Sequence, residues 1–253
     1  MSAERDRSVL LAMVALRSAS FPEMEDLLQA LGEKYPCQRP EEVMREGDNA
    51  IFSLGPYEAV VSLMPAPIPW DDLRDPCAAA WWWPDAAQAM RAHQAHLIVG
   101  LMGDAGSALD RHLALTDLVA AVAARTDAAG IYWGAGGVVH EPAAFQEDAA
   151  QLTSDSLAPH LWIDLRLMRN EDGSLRFFTT GMQSLEHREV EVDRCTMPPA
   201  ELLSLCHDIV HYILTSGAKI NDGDTIGRSV DEQITVRYQP SMWGQHTVMK
   251  LLF

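Results

Sequence analysis

Hydrophobic positions recur along this chain in two rhythms, one of strand length and one of helical spacing, and the switches between them outline its elements. "SVLLAMVALRS" (8–18) is a near-continuous apolar run of strand length. "PEMEDLLQALGEKY" (22–35) follows with Met24, Leu27, Leu28 and Leu31 at helical spacing, and Ser20 stands where it can cap that helix. "NAIFSLGPYEAVVSLMPAP" (49–67) reads as two strands turning at Gly55-Pro56. Residues 68–92 are richer in turns, with short helices set off by Pro69, Pro76 and Pro84. "HQAHLIVGLMG" (93–103) restores a strand, and "DRHLALTDLVAAVAART" (110–126) is the strongest helix, Ala-rich and apolar on one face. "AGIYWGAGGVV" (129–139) reads as a buried strand ending in glycines, and "EPAAFQEDAAQL" (141–152) as a helix.

Around Leu157-Ala158-Pro159 comes a seam, the one place in the pattern where a sub-domain boundary near 155–160 fits. Beyond it, "HLWIDLRLM" (160–168) and "SLRFFTTGMQ" (174–183) flank the hairpin turn Asn170-Glu171-Asp172-Gly173. "REVEVD" (188–193), the helix "PPAELLSLCHDIVHYILTSG" (198–217), the turn "NDGDTIG" (221–227) and the strands "EQITVRYQP" (232–240) and "HTVMKLLF" (246–253) complete the chain. Hairpins mixed with helices, without strict strand–helix alternation, predict an α+β fold. Its sheets should be mixed but largely antiparallel, arranged as one integrated domain over 1–253 with two possible sub-sheets.

Composition adds one unusual feature. Nineteen Lys and Arg face 36 Asp and Glu, a formal net charge of -17. Such a chain is repelled by nucleic acid and by anionic membranes, and its favoured partners are basic proteins. No segment approaches the roughly 20 apolar residues of a membrane span. The leader mixes Glu4 and Asp6 with Arg5 and Arg7 ahead of an apolar run too short for an export signal, which predicts a cytoplasmic protein. Cys37, Cys77, Cys195 and Cys206 form no Cys-x-x-Cys and are expected as reduced, partly buried thiols.

Candidate chemistry is sparse. "LCHDIVHYIL" (205–214) sets His207 and His211 four residues apart on a helix, with Asp208 after the first. A zinc peptidase helix needs a glutamate there, long enough to reach a metal-bound water, and a third ligand from elsewhere. Asp208 is one methylene short, and Glu232 and His246 fit no such spacing. The helix therefore reads as packing through Leu202, Leu203, Cys206, Ile209, Val210, Ile213 and Leu214, with the histidines on a wet edge. A metal-dependent hydrolase using His207, Asp208 and His211 is the alternative. "GAGG" (134–137) lacks nucleotide-binding spacing, and no cysteine or serine sits in a nucleophile context. No cofactor is expected.

Acids and tryptophans suggest docking instead. Glu186, Glu189, Glu191 and Asp193 lie in or beside a strand whose alternation sets carboxylates on one face and Val190 and Val192 on the other. These acids and the Asp222/Asp224 turn are the densest groupings of a charge otherwise spread along the chain. Replacing Glu189 and Glu191 by Lys should weaken a basic partner without altering the melting temperature much. Asp222 and Asp224 miss the ligand frame of a calcium loop, and Asn-Asp-Gly is first a turn signal. Trp81, Trp82 and Trp83 cannot all point inward, so this run is the expected aromatic anchor of a partner-binding surface. Trp133, between glycines in an apolar strand, is expected in the core.

The order of segments resembles the bacterial domain-of-unknown-function family 4261. The likeness rests on the helix leading into Tyr132-Trp133-Gly134, on Thr180-Gly181 followed by Glu189, and on Gly223-Asp224-Thr225-Ile226-Gly227. The resemblance implies a stand-alone cytoplasmic protein, some relatives of which lie near polymorphic-toxin or type VI secretion genes. It brings no catalytic residues. The expectation is a non-catalytic binding protein, in its most concrete form an immunity or accessory protein that holds a basic toxin through an acidic, tryptophan-bearing surface.

Overall fold

Strand β1 (Val9–Leu16) becomes an inner strand because its alternate side chains meet cover on both faces over its second half. The structure, a computed structural model, describes residues 9–37, 39, 42–228 and 232–253. Glu4, Arg5, Asp6 and Arg7, on which the reading of the leader rests, lie outside the described residues. Contacts divide the chain into two compact units, Met1–Ser156 and Leu157–Phe253, with the break inside the 155–160 seam.

In the first unit, β1 is followed by α1 (Met24–Gly32), β2 (Met44–Glu46), β3 (Asn49–Leu54), β4 (Tyr57–Met64), α2 (Trp70–Ala79) and α3 (Ala86–Ala92). Then come β5 (Ala95–Met102), α4 (Ala108–Ala123), β6 (Ala128–Trp133), β7 (Val138–His140) and α5 (Pro142–Gln151). The seven strands form one antiparallel sheet in the order β2-β3-β4-β5-β1-β6-β7. Leu10, Ala12, Val14 and Leu16 point to the face covered by α4, which also packs on α1 and α5. On the opposite face Ala15 joins Leu73, Cys77, Trp83 and Met90 from α2, α3 and the loop between them. Gly130 is needed there: a Cβ would overlap Met90 Sδ and come within 3.0 Å of the Trp83 ring.

The second unit carries β8 (Asp164–Arg169), β9 (Leu175–Thr180), β10 (Val190–Cys195), α6 (Pro199–Ser216), β11 (Thr225–Ile226), β12 (Ile234–Pro240) and β13 (Thr247–Leu252). Its sheet runs β11-β12-β13-β10-β9-β8, antiparallel except for the β10/β13 pair. That pair is parallel because the long connection through α6 and β12 returns the chain in the same direction. Both units are α+β, with two largely antiparallel sheets, as the mixture of hairpins and helices requires.

Several local expectations change. Ser20 caps nothing: α1 starts at Met24 without a side-chain cap, and burial of Met24, Leu27, Leu28 and Leu31 holds it. Segment 129–139 is a hairpin, closed by Gly137 at φ 62°, whose N–H donates to Trp133 O at 3.0 Å. The cap that does form is Ser107, which exchanges hydrogen bonds with Asp110 at the start of α4. On α6 the buried face includes Leu205 where the spacing suggested Leu203.

Candidate interaction site

Of the acids on the β10 face, Glu189 and Glu191 are covered, while Asp193 stays exposed. Glu189 and Glu191 are 6% and 2% exposed, so neither presents its carboxylate to a partner. Glu189 accepts hydrogen bonds from Thr179 Oγ1 at 2.7 Å and from the backbone N–H of Gly181, Met182 and Gln183 at 3.0, 3.3 and 3.3 Å. Four donors converge on one carboxylate at the start of a 3-10 turn, where free N–H groups need an acceptor. Gly181, at φ 121°, supplies the backbone bend that aims them. Glu191 sits opposite Lys250 in the parallel register and bonds its Nζ at 2.9 Å, while Ser241 Oγ donates to its other oxygen. Lys250 also pairs with Asp193. Burial alone pulls the Lys250 ammonium down, but Asp193 and Glu191 together outweigh it and hold its pKa above the ordinary value. These acids are internal fastenings of the second unit. The expectation of a solvated acidic face fails for Glu189, whose partners come from the turn just before it, and for Glu191, whose partners come from the distant Ser241 and Lys250.

Glu186 is exposed and adopts φ 64°, the left-handed region, just after the 3-10 turn. With His187, Arg188 and Lys219 it borders a recess of about 350 Å³. Asp222 and Asp224 are exposed but shape their own loop. Asp224 Oδ2 accepts from Asn221 N at 2.6 Å, and Asp222 Oδ1 accepts from Tyr238 N at 2.8 Å. The turn reading accounts for both.

The histidines of α6 stack 6.4 Å apart, and His207 Nδ1 lies 3.8 Å from Asp208. Among the described residues no three His, Cys, Asp or Glu side chains are grouped so as to hold a metal ion. Cys206 lies on the buried face of α6, and burial pushes its thiol up to about 12, a value at which it is no nucleophile. The four cysteines are free thiols.

The tryptophan run divides by residue. Trp83 is buried against Gly130, so it is core and leaves the candidate surface. Trp82 lies flat on His140, ring centroids 6.4 Å apart, and His140 in turn packs on Phe145 of α5. Trp81 stands edge-on against Trp82 at 5.8 Å and is 74% exposed. α2 ends at Ala79, where Ala80 leaves the helical conformation, and the turn before α3 carries these two rings at the surface. The same stretch exposes Asp71, Asp72, Asp75 and Asp85, of which Asp71 and Asp75 share Arg74 at 3.5 and 3.3 Å.

Charge follows the same division. Residues 1–156 hold 23 acidic and 10 basic side chains, and residues 157–253 hold 13 and 9. The acid surplus therefore belongs to the first unit, net -13 against -4, and is not spread evenly. The sequence contained this signal, but it became countable only once the boundary was placed.

Taken by architecture, the second unit is a single α-helix on a mixed sheet, fastened by buried acids. Residues 178–252, from within β9 to the end of β13, match the family model described as Domain of unknown function (DUF4261). Glu189 and Gly181, two residues of the expected likeness, lie in the matched segment; Tyr132-Trp133-Gly134 lies outside it. No curated protein matches the chain, and no solved structure does. Among the described residues no helix is long and apolar enough to cross a membrane.

Proposed function

We propose that this is a non-catalytic binding protein whose first unit docks a basic protein partner, with Trp81 and Trp82 as anchors and the acid surplus as the steering field. The observation that carries the reading is the coincidence, in one unit, of a net charge of -13 and an exposed tryptophan pair seated on His140. Aromatic side chains held on a rigid base give contact area at small entropic cost, and surrounding charge accelerates encounter with an oppositely charged partner. The same charge disfavours nucleic acid and anionic membrane. In its most concrete form the protein is a cytoplasmic immunity or accessory protein that neutralises a secreted toxin or effector.

The test uses tagged protein, wild type and a Trp81→Ala/Trp82→Ala double variant, co-expressed in turn with the products of neighbouring genes. A basic protein should be retained by the wild type. Its association rate should fall as salt rises, and its dissociation should quicken about tenfold or more in the double variant, the scale of a lost hot spot. A salt-independent association rate, or an acidic or nucleic-acid partner, overturns the proposal.

A further inference from the structure

Among the described residues, the first sheet leaves half of one face without a helix. On the side where α2 and α3 pack against Ala15, no described helix covers the opposite ends of β1, β4 and β5. The register aligns Met44, Ile51, Val60, Gly100 and Leu11 in a single row across five strands, apolar throughout. Leu11 is 42% exposed and Met44 is exposed, while Ile51 and Val60 are half-buried. Leu11 lies against Gly100, where a Cβ would come within 2.9 Å of its Cδ2, so the middle of the row is flat. The neighbouring row reads Ser53, Glu58, Met102, Val9, and places an exposed carboxylate beside the apolar stripe. Glu58 and exposed Asp104 border a recess of about 410 Å³ that also reaches Met102 and Tyr57.

The geometry points to a docking surface for an amphipathic basic helix of a partner protein, its apolar side on the Met44–Leu11 row and a lysine or arginine beside Glu58 in the recess. This inference rests on the binding reading above and gives it a second surface and a partner shape. Three observations select that occupant. A sheet face is covered most readily by a helix, as α2 and α3 already cover the other half of this one. The recess at the end of the row is bordered by the exposed Glu58 carboxylate, which complements a cationic side chain. A second copy of the chain would instead bring Glu58 against a unit of its own kind, already at -13.

The probe is a synthetic leucine–lysine peptide of about 15 residues, long enough to form a helix on binding, compared with a scrambled peptide of the same composition. Fluorescence anisotropy against the full-length protein, at about 0.15 M salt so that bare charge is screened, should show the amphipathic peptide binding at least about tenfold tighter. Val60→Asn and Glu58→Lys should each weaken it about tenfold, whereas Glu171→Lys, an equal charge change on the exposed hairpin turn of the second unit, should leave it unchanged. Glu58→Lys lies at an exposed position and keeps the test decisive if Val60→Asn lowers the melting temperature. Equal binding of the two peptides, or affinity unchanged in Glu58→Lys, overturns the inference. A wild-type dimer that Leu11→Asn converts to monomer overturns it too, since the occupant is then a second copy. Retention of a basic partner by the whole protein alongside failure of the peptide arm rejects this surface while leaving the proposed function standing.

Discussion

At the scale of single residues, the side chains of β10 separate what sequence periodicity tells from what it omits. Alternation places Glu189, Glu191 and Asp193 on one face, and Lys250, which reaches both Glu191 and Asp193, shows that these two share it. Whether that face meets water is decided by Lys250, Ser241 and the Gly181–Gln183 backbone, none of which the local pattern announces. Burial reverses the expected result of charge reversal. Glu191→Lys sets two ammonium groups side by side in the interior and should cost about 3–5 kcal/mol, the range for an unpaired buried charge. Urea unfolding at neutral pH measures it. A variant within about 0.5 kcal/mol of wild type would restore Glu191 to the surface, since changes there are usually that small. Trp81 and Trp82 are the opposite case: a run of three tryptophans signals by itself that one must be exposed, and the structure adds which two.

At the scale of elements, helices and hairpins with strong periodicity were readable, and weak or shared signals were not. The strand β2 is short and fully exposed, with no hydrophobic alternation to mark it. The α4 helix was evident from its Ala-rich apolar face, but the state of its histidine was not. His112 is enclosed between the helix and Trp133, with ring centroids 5.8 Å apart, and its Nδ1 donates to Ala108 O at 2.8 Å. Burial pushes it from an ordinary 6.5 down to about 4. The sign follows directly: between these values the unfolded chain holds a proton on this ring and the folded chain does not, so acid favours unfolding. The stability His112 contributes is complete above pH 6.5 and is lost as pH falls toward 4. Crossing the whole window removes about 3 kcal/mol. Urea midpoints at neutral pH and near the lower limit, in wild type and His112→Leu, should show a shallower acid loss in the variant. Equal slopes would mean that His112 titrates normally.

For the whole molecule, the division at Ser156/Leu157 organises both charge and chemistry. The sequence pattern located the seam through Leu157-Ala158-Pro159, where strand and helix signals lapse. It could not announce two contact units, because compactness depends on pairings between distant strands. Residues 153–156 are exposed and hold only the small bridge between Thr153 and Ser156, so this is where a protease should cut first. Limited digestion with a broad-specificity protease, read by mass spectrometry, should give early fragments ending near residue 155. First cleavage inside either sheet would contradict the division.

Gly100 carries a consequence for the lineage of such a chain. Leu11 rests on the space where a Cβ would stand, and as the free end of an exposed side chain it can swing aside. Glycine becomes alanine by one nucleotide change. A single codon step could therefore raise a bump in the middle of the apolar row while the sheet beneath it survives, so that the surface can be lost by drift long before the protein is.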